Sequence, residues 1–307
     1  MLYLLICDFM VLFIHTKLIG DYMNILDMYE NDKTLLSFEV FPPKKTSPIE
    51  SVYGVLEELC ALNPAYVSVT YGAGGTAADN TCGIASKIKN DYKVESIAHI
   101  TCVNSTKAEV ESALQSFKEH NIDNVLALRG DIVPDMEPRT DFRYASELTK
   151  FIKEKGGFHI AGACYPEVHS EAEYKVSDII NLKKKVDAGA EFLISQLFYD
   201  NRSFYEFEKR CRLAGIDVPI EAGIMPVINT KQIQRMVSLC GASLPAKFVR
   251  IMNRYENNPE ALRDAGIAYA VDQCVDLIAN GVSGIHLYTM NNPFVAQKIT
   301  EAISKLL

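Results

Sequence analysis

Glu39 lies within an apolar run, Leu35-Leu36-Ser37-Phe38-Glu39-Val40-Phe41, and is followed by the rigid pair Pro42-Pro43. Carboxyl groups are almost never fully buried unless paired. In an apolar surround, desolvation disfavours the charged form of such a group, which suits it to general acid work. The competing reading is a buried salt bridge to Arg129 or to a lysine. Similar polar interruptions recur in other apolar runs: Ser68 and Thr70, His99, Arg129 followed by Asp131, Gln196, Glu221, and His286 with Tyr288. Any one of them alone is most economically a satisfied core group. As a set they point to an enzyme site. Arg129-Gly130-Asp131 can be read as a simple turn, but a glycine between two charges at a strand end also lets backbone approach a ligand closely.

These residues fall in eight strand-like runs, at 35–41, 65–71, 95–102, 124–130, 159–165, 192–199, 219–227 and 284–290. Each is rich in β-branched and aromatic residues and bounded by turn signals. Helical periodicity fills the intervals. Ser47-Pro48-Ile49-Glu50 has the form of a capping box with proline at the first helical position, and Thr106 with Glu109 repeats the box. Asn258-Pro259 opens a further helix that ends at Gly281. Eight strand-helix units without a long linker predict an α/β fold, a (β/α)8 TIM barrel over residues 23–307, with an open doubly wound sheet as the alternative. With a period of two, Phe38/Val40, Val67/Val69, Leu126/Leu128 and Ile285/Leu287 form an aliphatic face expected to pack on the helices. The polar set then points inward and crowds toward the carboxyl ends of the strands, where barrel enzymes hold their chemistry.

The 307 residues carry a formal net charge of −8, which argues against a nucleic-acid surface, since phosphate binding needs clustered Lys and Arg. The one basic run, Lys183-Lys184-Lys185, reads by itself as a solvated helix face. None of the eight cysteines falls in a C-x-x-C pair, so no zinc or redox motif is signalled, and a reducing cytoplasm fits best. The apolar opening of the chain is interrupted by Asp8 and His15 and is too short for a membrane span. Residues 1–22 are therefore expected to be a loose extension before a start at Met23, with an interfacial anchor as the alternative, and no membrane partner is expected. Gly72-Ala73-Gly74-Gly75 follows a strand but lacks dinucleotide-binding spacing, which favours a tight loop at the barrel mouth.

Ser37-Phe38-Glu39-Val40-Phe41-Pro42-Pro43, Ser68-Val69-Thr70-Tyr71-Gly72-Ala73, Ala127-Leu128-Arg129-Gly130-Asp131 and Tyr165-Pro166-Glu167-Val168-His169 resemble signature segments of the methylenetetrahydrofolate reductases. So do Lys185-Val186-Asp187-Ala188-Gly189-Ala190 with Gln196, Gly223-Ile224-Met225-Pro226-Val227, and His286-Leu287-Tyr288-Thr289-Met290-Asn291. The resemblance runs from about residue 35 to 295, one segment per strand, and is to the short bacterial form without a regulatory C-terminal domain.

It implies FAD held in a barrel without a Rossmann motif. Thr70, Tyr71, Ala73, His99, Arg129, Gly130, Asp131, Ala145, Tyr165, His169, Ala172, Asp178, Asn181, Lys184 and Lys185 would line that cofactor site, the two lysines facing its phosphates. NAD(P)H would reduce the flavin and leave, and methylenetetrahydrofolate would take its place. Glu39 would protonate the folate, Asp131 would tune the flavin and hold the pterin, and Gln196, Gln232 and Tyr288 would bind substrate. A homo-oligomer, with a possible electron-donor partner subunit, is also implied. Two positions depart from the family pattern: Asn292 stands where an Arg commonly meets the folate tail, and Met236 where an aromatic residue often stacks on substrate. The rival readings are a pterin-binding methyltransferase barrel and a flavin-carrying electron-transfer subunit.

Overall fold

In the computed structural model, residues 24–30, 33–43, 47–71, 77–131, 141–169, 171–172, 174–229 and 242–307 are described. The expected extension at 1–22 lies outside them, as do Ala73, Gln232 and Met236. All eight strand-like runs form strands: β1 Leu35–Val40, β2 Tyr66–Val69, β3 Glu95–Thr101, β4 Asn124–Leu128, β5 His159–Cys164, β6 Phe192–Ser195, β7 Ile220–Ile224 and β8 Gly284–Tyr288. They close a barrel in sequence order, every pairing is parallel, and β8 returns to β1. The open-sheet alternative is excluded by that closure.

Helices lie between the strands and cover the outside. The Thr106–Glu109 capping box forms as read, and Asn258 caps the helix Pro259–Ala279 by accepting from the Ala261 N–H. The box read at Ser47–Glu50 does not form. Pro48 occupies the cap position, no side chain caps it, and the chain enters through a 3-10 turn at Ile49–Val52. The reason is local: proline supplies the backbone angle but has no hydroxyl to offer the orphan N–H groups.

The aliphatic face read from the sequence holds in β1, β2 and β8 and needs correction in β4. Phe38, Val40, Val67, Val69, Ile285 and Leu287 join the core between strands and helices. Leu126 packs instead with Ile25, Tyr66, Ile97, Ala161, Phe192 and Ile194, with Leu128 against that group. This is the lumen of the barrel. Register decides the matter, because His99 is level with Leu126, and residues level across a parallel pair point to the same side. Val125 and Ala127 therefore take the outward places. Both faces being apolar, β4 gave no periodic signal.

A single helical turn at Ile25–Met28 contributes the wholly buried Ile25 to the lumen, so the residues just before β1 close the base of the barrel. Asn24 caps that turn and bonds His159 at 3.0 Å. Among the described residues, no helix is long and apolar enough to cross a membrane.

Candidate active site

Glu39 is the next-to-last residue of β1 and is buried. Its place is fixed through the backbone. Thr289, just past β8, donates its hydroxyl to the Glu39 carbonyl at 2.6 Å. Two residues on, the Asn291 side chain accepts from the Phe41 N–H at 2.9 Å and donates to the Phe41 carbonyl at 2.8 Å. Asn291 has φ 55, a left-handed conformation that asparagine tolerates better than most residues. One loop thus grips the β1 terminus at Glu39 and Phe41, just before Pro42-Pro43.

The Glu39 carboxyl group looks onto two imidazoles. Its Oε2 is 3.7 Å from His99 Nε2 and 3.7 Å from His286 Nε2. Burial lowers the pKa of His99 to about 4, the pull of Glu39 opposing it and His286 adding to it. His99 is therefore a neutral ring at ordinary pH. The salt bridge weighed between Glu39 and Arg129 is absent, because Arg129 is engaged elsewhere. Its guanidinium makes a two-pronged pair with Glu171, one contact at 2.8 Å and a shorter one through Nη1.

Arg129 opens a second cluster around the ends of β4 and β5. Gly130 has φ +84, and a Cβ there would come within 2.9 Å of the Thr101 side chain, so the turn after Arg129 needs glycine. The Tyr165 and His169 rings meet edge to face with centroids 4.6 Å apart. The His169 N–H donates to Asp178 at 3.3 Å, and the Ala172 N–H donates to the His169 carbonyl at 2.9 Å. Burial lowers the His169 pKa, with Arg129 reinforcing it, and burial raises that of Asp178. Ala145, buried, begins the helix Ala145–Lys155 behind this cluster.

The lysines separate. Lys185 lays its stem over Gly162 and donates to the Ala163 carbonyl at 2.5 Å, and burial lowers its pKa. Lys184 is exposed and donates to Asn181 at 3.1 Å, one turn earlier on the helix Lys175–Asp187. Thr70 and Tyr71 lie half-buried past β2; burial raises the Tyr71 pKa, and the Thr70 carbonyl accepts from Thr81.

Asp131 is exposed at the mouth, its carbonyl accepting from the Asn104 amide at 3.0 Å. Gln196, half-buried just beyond β6, folds its side-chain oxygen onto the Leu197 N–H at 2.9 Å. Tyr288 crosses from the end of β8 to donate to the Ser195 carbonyl at 2.7 Å. That crossing depends on Gly223, where a Cβ would sit 2.0 Å from the Ser195 oxygen and 2.8 Å from the Tyr288 ring. Asn292 caps the helix Pro293–Ile303 by accepting from the Val295 N–H, so its side chain serves the fold. Two features carried no clear signal in the sequence. Glu171, the partner of Arg129, is an ordinary loop acid. The Thr289 and Asn291 grip on β1 spans 250 residues, and only the motif containing both hinted at it.

A family model for methylenetetrahydrofolate reductase matches residues 24–304. The chain is 37% identical over 268 residues to a 5,10-methylenetetrahydrofolate reductase of Pectobacterium carotovorum, covering 87% of this chain and 89% of that protein. It is 36% identical over 269 residues to the Escherichia coli protein of the same name, at 87% and 90% coverage. Against methylenetetrahydrofolate reductase (NADH) 1 of Arabidopsis thaliana the identity is 37%, and the match covers 87% of this chain but only 48% of the plant protein. The chain thus spans about half the length of its plant relatives. Among solved structures, a Clostridium thermocellum protein described as binding two copies of 5-methyl-5,6,7,8-tetrahydrofolic acid superposes with TM-score 0.64 at 15% identity, covering 91% of this chain and 97% of that one. At that identity the likeness shows the fold alone.

Proposed function

The chain belongs to the methylenetetrahydrofolate reductase family, and from that premise we propose that it reduces 5,10-methylenetetrahydrofolate to 5-methyltetrahydrofolate, with NAD(P)H as donor and FAD as the carrier between them. The observation that carries the reading is Glu39: a buried residue whose backbone is gripped by the β8 loop and whose carboxyl group lies near two imidazoles at the mouth of the barrel.

The residues fit such a cofactor. Arg129 offers a planar fork of donors whose present partner is an exposed carboxylate, a seat that suits a phosphate equally well. The buried Nε2 of His99 has no hydrogen-bond partner among the described residues and can serve a polar edge of a bound ring. Tyr165, His169, Ala172 and Asp178 form a contacting group beside Arg129. When bound, the flavin supplies the hydride chemistry, accepting from the nicotinamide and giving to the folate.

The chain's own residues supply orientation and a proton. Glu39 donates its carboxyl proton to the folate nitrogen that leaves the methylene carbon, so the five-membered ring opens and that carbon becomes electrophilic. Gln196 orients each substrate in turn, as a ping-pong order requires of one shared face, and Tyr288 helps to form the folate pocket. Asp131 stands at the exposed rim, where it can hold the pterin.

The test is Glu39→Gln in the flavin-loaded protein, followed by stopped-flow absorbance. Flavin reduction by NADH is expected to persist and reoxidation by methylenetetrahydrofolate to be lost. Undiminished folate reduction would remove Glu39 from the mechanism. A purified chain that stays colourless in the presence of FAD would favour a methyl-transferring pterin barrel instead.

A further inference from the structure

Glu221, near the start of β7, is a second carboxylate inside the barrel, and it has no exposed surface at all. Its Oε1 accepts the Tyr29 hydroxyl at 2.6 Å, while its Oε2 accepts Tyr66 at 2.7 Å and Ser37 at 2.8 Å. Room for it comes from Gly284 on β8, where a Cβ would lie 2.8 Å from the carboxyl carbon. An apolar residue of similar volume is generally as good for stability as a buried, fully bonded charge. A carboxylate with three hydroxyl donors in the barrel lumen therefore points to something besides filling space. Burial, and after it Glu221, pushes the Tyr29 phenol well above its ordinary pKa, and the same two causes act on Tyr66. Both remain hydroxyl donors.

The bonds fix where the hydrogens lie. Ser37 has a single hydroxyl hydrogen, and Glu221 receives it. With Glu221 the acceptor of that hydrogen, the Ser37 contact with His286 Nδ1, 2.7 Å long, is completed by the hydrogen of the ring nitrogen. His286 accordingly bears its hydrogen on Nδ1. Its Nε2 points up the barrel, 3.4 Å from the Ser68 hydroxyl and 3.7 Å from Glu39 Oε2. The ring is fully buried and lies beside Tyr66 with centroids 5.9 Å apart.

We propose that Glu221 is a positioning residue for Glu39, acting through Ser37 and His286: it fixes the Nδ1–H form of His286 and so turns the Nε2 lone pair toward the Glu39 carboxyl group. The inference rests on the reading of Glu39 as the proton donor. A lone pair at that place, 3.7 Å away, presents no competing N–H to the Glu39 carboxyl group. An N–H there would aim the positive end of its dipole at the group from which the proposed chemistry takes a proton. The other groups facing His286 are Ser68 and Tyr66 from β2, His99 from β3 and Tyr288 from its own strand. None of them bonds Nδ1, so the choice of form falls to Ser37 and Glu221.

Glu221→Gln tests this with little change of shape. With its NH2 group toward Ser37 the amide donates to that hydroxyl, Ser37 gives its own hydrogen to Nδ1, and the ring hydrogen moves to Nε2. Nitrogen NMR of the His286 ring in the flavin-loaded protein is expected to show that exchange. Flavin reduction by NADH should be unchanged, and reoxidation by methylenetetrahydrofolate should slow by about 10- to 100-fold, within the roughly 10²–10⁴ that a positioned general acid contributes. A lower melting temperature with the ring form and the reoxidation rate both intact would overturn the proposal, as would equal slowing of the two half-reactions. If the variant does not fold, Ser37→Ala severs the same link while leaving both tyrosine bonds to Glu221, and the same readouts apply. Glu39→Gln run alongside separates the two ideas. Its failure to block reoxidation removes the premise, whereas a block there with normal reoxidation in Glu221→Gln removes only the role of Glu221.

Discussion

The Nε2 of His99 stands 3.7 Å from a carboxyl oxygen of Glu39, and among the described residues that nitrogen has no hydrogen-bond partner. Desolvation is the first cause of the lowered His99 pKa, about 4 against an ordinary 6.5. In the unfolded chain the same ring takes up its proton near the ordinary value. Between those two pH values the unfolded state binds more protons, so stability rises with pH across the window. Its contribution is intact above about 6.5 and is lost as the pH falls toward 4. The difference amounts to something on the order of 3 kcal/mol. Urea unfolding at a series of pH values should show this slope in the parent and a shallower one in His99→Asn. Parallel curves would mean that His99 is not the group being titrated.

Arg129 and Glu171 make a pair open to solvent, with the Glu171 side chain 57% exposed. Exposed pairs are worth about 0–1 kcal/mol, so Glu171→Gln should leave the melting temperature of the flavin-free protein nearly unchanged. Binding should change instead. If Glu171 occupies the seat that a cofactor phosphate takes, the variant is expected to bind FAD several times more tightly, judged by quenching of flavin fluorescence. Arg129→Lys should weaken FAD binding, because an ammonium keeps the charge but loses the fork. Weaker FAD binding in Glu171→Gln would show that the carboxylate helps to hold the cofactor rather than competing with it.

How much of this was legible in the sequence depends on the range of the interaction. The strands were readable because each is a local run of β-branched and aromatic residues, and the barrel followed from their number and spacing. Glu39 was readable because a carboxylate inside such a run is rare. The facing of Leu126 and Leu128 was not, since β4 is apolar on both faces and only pairing with His99 fixes its phase. Ser47–Glu50 had the letters of a capping box, yet the proline took the cap position. Glu221 was read as an inward polar residue, but nothing near it in the chain foretells Tyr29, 192 residues away. Contacts made across the barrel leave no local pattern.

Gly223 is where the packing of the mouth can be probed without removing a polar side chain. A methyl group there would stand 2.0 Å from a backbone oxygen of Ser195 and within 2.9 Å of the Tyr288 hydroxyl. Backbone cannot swing aside like a side-chain tip, so Tyr288 must move and its bond to Ser195 must lengthen. Gly223→Ala is expected to lower stability by about 1–3 kcal/mol, the usual penalty of overpacking. It should also raise the KM for the folate with little effect on flavin content. A variant as stable as the parent, with unaltered KM, would show that β6 and β7 can part at small expense.

The grip of Asn291 on Phe41 allows strain and hydrogen bonding to be separated by two substitutions at one site. Asn291→Ala removes both bonds to Phe41 and leaves a Cβ-bearing residue at φ 55. Asn291→Gly removes the same bonds but accepts that backbone freely. Each bond is worth about 1 kcal/mol, and the left-handed conformation about 1 kcal/mol more for alanine. Glycine should therefore be the milder loss of the two by chemical denaturation. Catalysis should not discriminate between them. Both variants free the end of β1, and a misplacement of about 1 Å in a reacting group can lower a rate roughly 10²-fold. Reoxidation of the flavin by methylenetetrahydrofolate is thus expected to slow equally in the two, while reduction by NADH proceeds as before. If alanine alone slowed reoxidation, backbone strain and not the grip on β1 would govern how Glu39 is held.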